Sequence, residues 1–198
     1  MLLMRRAQAE QAVAAEADRL RQIEARIAQL DAGGAPLDDV VLRAEPARRL
    51  LAVRERLPSF AAARGVLAEL IAALPAGLGE AALGELVGIA HSPEFEPDDL
   101  DVELGFYLRA EVAAPMQLPS GRVVSPSLLP AVAKMATCVR LGPPEQAHAV
   151  TARIGEFAER HGYCLAGPAR EVFLKRPQLD RMAESVVEMQ FPLAPAAT

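Results

Sequence analysis

The sequence is poor in the residues that carry most protein chemistry. It has two cysteines, three histidines, no tryptophan and only 4% aromatic residues. Cys138 and Cys164 show no C-x-x-C or other ligand spacing, which argues against a zinc ribbon or a dithiol redox site. His91, His148 and His161 lie far apart, with no acid or nucleophile at motif spacing. No G-x-S-x-G, P-loop or G-x-G-x-x-G pattern occurs. No metal or cofactor is therefore expected, and no catalytic residue is assigned. Clusters of basic residues are missing too. The largest are pairs such as Arg5-Arg6 and Arg48-Arg49, in a chain of net charge -5 and pI about 5.3. Phosphate contacts need a basic patch, so this chain is not expected to grip DNA by itself. No stretch of about 18 apolar residues is found, so no membrane span is expected. Residues 1–6 are too short an apolar run, with the basic pair on the wrong side, for a signal peptide. The expected location is the cytoplasm.

What the sequence does have is 52% hydrophobic residues, enough for a substantial core. Residues 1–30 lack Gly and Pro and are rich in Ala, Arg, Glu, Gln and Leu, all favourable to helix. The series Val13, Glu16, Leu20, Ile23, Ile27 and Leu30 runs at alternating steps of three and four, its last four members strongly apolar and its earlier ones mixed. That is heptad spacing. Asp31 to Pro36 contains Gly33-Gly34 and then proline, a stop for any helix. The break detaches the stripe from the rest of the chain. Residues 1–32 thus read as a dimerising coiled-coil helix, with homodimerisation through Val13, Leu20, Ile23, Ile27 and Leu30.

A second domain, residues 37–195, repeats itself. Val102-Glu103-Leu104-Gly105-Phe106-Tyr107-Leu108 resembles Val187-Glu188-Met189-Gln190-Phe191-Pro192-Leu193. Pro58-Ser59 opens one helical pattern and Pro143-Pro144 another, since proline suits a first helical turn. Three pairs of markers, Pro58 and Pro143, Pro93 and Pro177, Glu103 and Glu188, are offset by 85, 84 and 85. A near-constant offset marks a duplicated unit. Each copy reads strand, helix, strand, strand. The fold class is therefore α+β: a duplicated β-α-β-β domain with an antiparallel sheet, two helices on one side, and a concave seam between the halves.

Alternation along a strand puts residues two apart on one face. Glu188 shares a face with Gln190, and Glu171 with Phe173. We expect Glu171 and Glu188 to project into the seam from neighbouring strands, with Glu103 and Tyr107 at the corresponding parity of the first half. A carboxyl among apolar groups resists ionisation. It can hold a cation beside the rings of Tyr107, Tyr163 and Phe173, or act as a general acid or base. The bland alternative is a surface acid paired with an arginine such as Arg170. The expected ligand-binding set is Glu171, Glu188, Phe173, Tyr107, Tyr163 and Gln190.

The segment from Leu3-Met4-Arg5-Arg6-Ala7 to Arg26 resembles the linker helix of MerR-family transcription regulators. The closing run is similar to the signature of GyrI-like effector-binding domains: Gly162-Tyr163, Arg170-Glu171-Val172-Phe173, Pro177, then Glu188-Met189-Gln190-Phe191-Pro192-Leu193. The resemblance implies an antiparallel dimerising helix and a domain for small hydrophobic, often cationic, compounds, recognised by the acids at Glu171 and Glu188. It implies DNA and RNA polymerase as partners only through a winged helix-turn-helix, which is absent from this chain. The sequence departs from the family at Val139-Arg140-Leu141-Gly142-Pro143, where relatives commonly carry a His-x-Gly-x-Tyr-like run. Some similar GyrI-like proteins open cyclopropane-bearing toxins with a pocket carboxylate, so a hydrolase is the alternative reading.

Overall fold

The computed structural model describes residues 40–92, 96 and 98–196. The arm, with Val13, Leu20, Ile23, Ile27 and Leu30, lies outside the described residues.

The first helix begins where the sequence marks it. Ser59 is extended, and its hydroxyl accepts a hydrogen bond from the Ala62 amide at 3.2 Å, satisfying one of the free donors of the first turn. The helix α1, Phe60–Leu78, buries Val66, Leu67, Leu70 and Leu74 at helical spacing. Gly79, at φ 81, ends it in a conformation that side chains disfavour. α1 is long and apolar enough to cross a membrane by length and composition, contrary to the expectation that no such stretch exists. In this fold its buried stripe packs against a sheet, with contacts to two strands. The second helix, α2 (Ala147–Arg160), comes after a single 3-10 turn at Pro144–Gln146. It buries Ala147, Val150, Ile154 and Ala158, and Gly162, at φ 72, lies just beyond it.

Among the described residues, ten strands form one antiparallel system. In chain order they are β1 (Val41–Glu45), β2 (Arg48–Leu57), β3 (Leu83–Ala90), β4 (Leu100–Leu108), β5 (Met116–Gln117), β6 (Val123–Leu129), β7 (Val132–Leu141), β8 (Tyr163–Leu165), β9 (Ala169–Phe173) and β10 (Val186–Pro195). The spatial order is β1-β7-β10-β9-β3-β4-β2-β6-β5, with β8 paired to the end of β10. Two equivalent modules stand out: β2-α1-β3-β4, with sheet order β2-β4-β3, and β7-α2-β9-β10, with sheet order β7-β10-β9. The duplication read from the sequence is thus present in the strand order.

Register sharpens it. Val53 pairs with Leu104 in the first module, and Cys138 pairs with Met189 in the second. Positions 53 and 104 recur at 138 and 189, a common offset of 85. On the inner strands, Glu103 pairs with Ile89 and Glu188 with Val172, so 89 recurs at 172, an offset of 83. The modules join through β3 and β9, where Val87 pairs with Val172, Gly88 with Glu171, and Ile89 with Arg170. With an offset of 83, Gly88 and Glu171 are equivalent to each other. A local two-fold axis runs between these two positions.

The sheet has two apolar faces. Leu51, Val53, Leu86, Leu104, Phe106, Cys138, Phe173, Met189 and Phe191 lie on the helix side, in the main core. Leu50, Ala52, Val87, Ile89, Tyr107 and Val172 form a smaller cluster on the other side. β4 and β2 approach so closely that a Cβ on Gly105 would meet the Leu51 carbonyl oxygen at 2.1 Å and the Ala52 Cα at 2.6 Å.

Candidate functional site

A cavity of about 600 Å³ opens between the two helices and the sheet, centred on the junction of the modules. Its floor includes Gly88, Leu104, Glu171, Phe173, Met189 and Phe191, and its sides include Leu67 from α1 and Ala147 and Thr151 from α2. The walls are apolar because they are the helix-facing positions of alternating strands. The hollow persists at the axis because one of the two facing residues is glycine. A Cβ on Gly88 would enter contact with Leu104 Cδ2 at 3.3 Å.

Among the described residues, Glu171 is the one carboxylate on the floor. Its side chain is 24% exposed, facing the cavity's own space. Burial pushes its carboxyl above the usual carboxylate range, and the neighbouring Arg140 guanidinium only partly offsets this. Arg140 Nη2 donates to Glu171 Oε2 at 2.9 Å, and Nη1 donates to the Gly142 carbonyl. Arg140 is itself buried. It reaches Glu171 from β7 across β10, in the row where Arg140, Val187 and Phe173 are register partners. The two helices are linked near the cavity by Arg64 Nη1 and Glu145 Oε1 at 3.4 Å.

The structure separates the residues that the sequence grouped. Glu171 and Phe173 line the cavity. Glu188 does not project beside Glu171, as expected, but from the opposite face. The register partner of Glu171 is Met189, and paired residues share a face, so Glu188 and Gln190 point away. There Glu188 accepts two bonds from Arg43, at 3.0 and 2.6 Å, and one from Gln190 Nε2 at 2.7 Å. Tyr107 is also on that face, with its ring 4.4 Å from the Arg48 guanidinium carbon and its phenol held above the ordinary value by burial. Tyr163 lies on β8, its ring 4.3 Å from Lys134 Nζ, outside the cavity lining. Glu103 is paired with His91 at 3.1 Å. Arg170, named as a partner only in the bland alternative of a surface acid, is buried on the far face; the arginine that pairs with Glu171 is Arg140. Among the described residues, no three His, Cys, Asp or Glu side chains are placed to hold a metal ion.

Arg140 and Gly88 are site residues that sequence reasoning did not pick out. Arg140 stands inside the segment that departs from the GyrI-like pattern, and that departure was the available signal.

No family model and no curated protein matches the chain. Several solved structures do. The EcmrR C-terminal domain superposes with a TM-score of 0.66 at 17% identity, covering 79% of this chain and 98% of that one. EcmrR in its DNA complex gives 0.61 at 18% identity, covering 99% of this chain and 72% of that one. A hydrolase encoded by lin2189 from Listeria innocua gives 0.53 at 14% identity, covering 81% of this chain and 94% of that one. By fold, this chain is similar to the C-terminal domain of EcmrR, in keeping with the GyrI-like resemblance of its closing segment.

Proposed function

We propose that this chain is the effector-binding and dimerisation region of a MerR-family transcription regulator, and that its cavity takes a small hydrophobic compound. The observation that carries this reading is the apolar hollow on the local axis, with the Glu171 carboxylate on its floor and Phe173 on its wall. Cavities of this size, mostly apolar with one or two convergent polar groups, are the usual form of small-molecule sites. The fold likeness to EcmrR supports the reading, since EcmrR was solved in complex with DNA. Dimerisation would run through Val13, Leu20, Ile23, Ile27 and Leu30, and contact with DNA and RNA polymerase through the winged helix-turn-helix domain of such a regulator.

The test is saturable binding of a hydrophobic compound at one site per chain, with the compound recovered intact. Binding to the folded state alone raises the melting temperature with ligand concentration. A melting temperature indifferent to every hydrophobic compound tried would refute the reading.

One observation favours a second reading. Glu171 is a carboxyl with a raised pKa in an apolar cavity, which suits a general acid or base, and a hydrolase shares the fold. Mass spectrometry of a cyclopropane-bearing compound after incubation separates the two. Intact compound supports the sensor, and a product heavier by one water supports the hydrolase.

A further inference from the structure

The charge on the cavity floor is decided by Arg140. Its guanidinium is fixed at both ends, by Glu171 Oε2 and by the Gly142 carbonyl, and it is buried behind the carboxylate it binds. Glu171 Oε1 has no hydrogen-bond partner among the described residues. While the carboxyl is ionised, a ligand therefore meets one free acceptor oxygen, Oε1, whose charge Arg140 already balances. If the carboxyl is ionised, the pair is neutral. If it is protonated, the pair is positive. Neither state offers a cation an uncompensated negative charge.

The other ionisable groups around the cavity lead the same way. Asp101 is held by Arg54 through two bonds of 2.9 Å. Glu145, near Glu171, is held by Arg64, and Glu103 lies outside the cavity lining, hydrogen-bonded to His91. Glu96 stands exposed at the edge, where water screens it. The ring walls are Phe60, Phe173 and Phe191. A lipophilic cation entering here would give up its hydration without a counter-charge in return, a costly exchange in an apolar enclosure. An uncharged molecule with one donor would lose little and satisfy Oε1.

We propose that the cavity selects an uncharged hydrophobic molecule carrying one hydrogen-bond donor, which Glu171 accepts, and that Arg140 excludes lipophilic cations. This rests on the cavity being a ligand site, as argued above, and narrows the class of ligand.

Three probes of like shape test it by equilibrium dialysis against the full chain: triphenylmethanol, triphenylmethane and methyltriphenylphosphonium. Triphenylmethanol is expected to bind at least about tenfold tighter than the phosphonium, and tighter than triphenylmethane, as one charge-assisted hydrogen bond allows. Dialysed at a pH above the raised pKa of Glu171, Arg140→Met should shift the ratio toward the phosphonium by about tenfold or more, and Glu171→Leu should erase the difference between the alcohol and the hydrocarbon. A phosphonium that binds the unaltered chain as tightly as the alcohol overturns the charge argument and leaves the cavity reading intact. So does a ranking unmoved by Arg140→Met. Failure of all three probes to bind overturns both. The ranking in the unaltered chain is decisive even if a variant does not fold.

Discussion

Replacing Arg140 with methionine should destabilise the protein in a manner that depends on pH. The change keeps most of the volume and removes a guanidinium that serves both Glu171 and the Gly142 carbonyl. Breaking a buried ion pair by deleting one partner costs on the order of 3–5 kcal/mol, because the other charge is left uncompensated. Here Glu171 is 24% exposed to the cavity, so water relieves part of that, and about 2–3 kcal/mol is the expected loss at pH 8. In a chain of 198 residues that corresponds to roughly 5–10 °C in melting temperature. The sign with pH comes from Glu171. Its folded-state pKa is raised by burial and lowered by Arg140, so the variant raises it further. Folding then takes up a proton between the ordinary carboxylate pKa and the raised one, and stability falls as pH rises through that window. Below the ordinary value the penalty is gone. Urea denaturation at pH 8 and pH 5 should therefore show a smaller deficit at pH 5. Adding Glu171→Leu to Arg140→Met should restore all but about 1 kcal/mol at pH 8, since the two residues couple directly. A deficit equal at both pH values, or one untouched by the second substitution, would refute the reasoning.

Three further outcomes can be checked. Gly105→Ala places a Cβ about 2 Å from the Leu51 carbonyl oxygen, a backbone atom that cannot step aside, so soluble yield and melting temperature should drop sharply, by several kcal/mol. Gly88→Leu meets only the flexible end of Leu104 at its Cβ and grows into the cavity, so dialysis should show loss of triphenylmethanol binding while urea denaturation shows a change of about 1 kcal/mol or less. Glu188→Gln weakens the paired bonds to Arg43 on the far face and should lower stability by about 1–2 kcal/mol, with probe affinity unchanged; a fall in affinity without a fall in stability would place Glu188 back in the ligand site.

The modules are legible because duplication wrote the same punctuation twice. Pro58 and Pro143 open the two helices, and the runs at Val102 and Val187 fall on β4 and β10. The flanking strands β1, β5 and β6 carry no such echo, so the sequence does not announce them. Within the site, Glu171 and Phe173 can be grouped because they share a strand. Glu188 is misplaced by the same logic, because alternation orders the faces along one strand but does not relate one strand to the next. That relation is the register, here Glu171 opposite Met189. Arg140 escapes notice for the same reason, since only the order β7-β10-β9 brings it to Glu171.

The local axis at Gly88 and Glu171 has a consequence for how any guest must lie. A symmetrical chamber would accept an occupant equally well end for end, with its population split between two poses. An acid on one side of the axis and bare backbone on the other remove that ambiguity, so an unsymmetrical guest settles in one direction only. Two identical subunits could not achieve this, because each would carry the same residue to the meeting point. Fusing the copies into one chain lets the two sides differ.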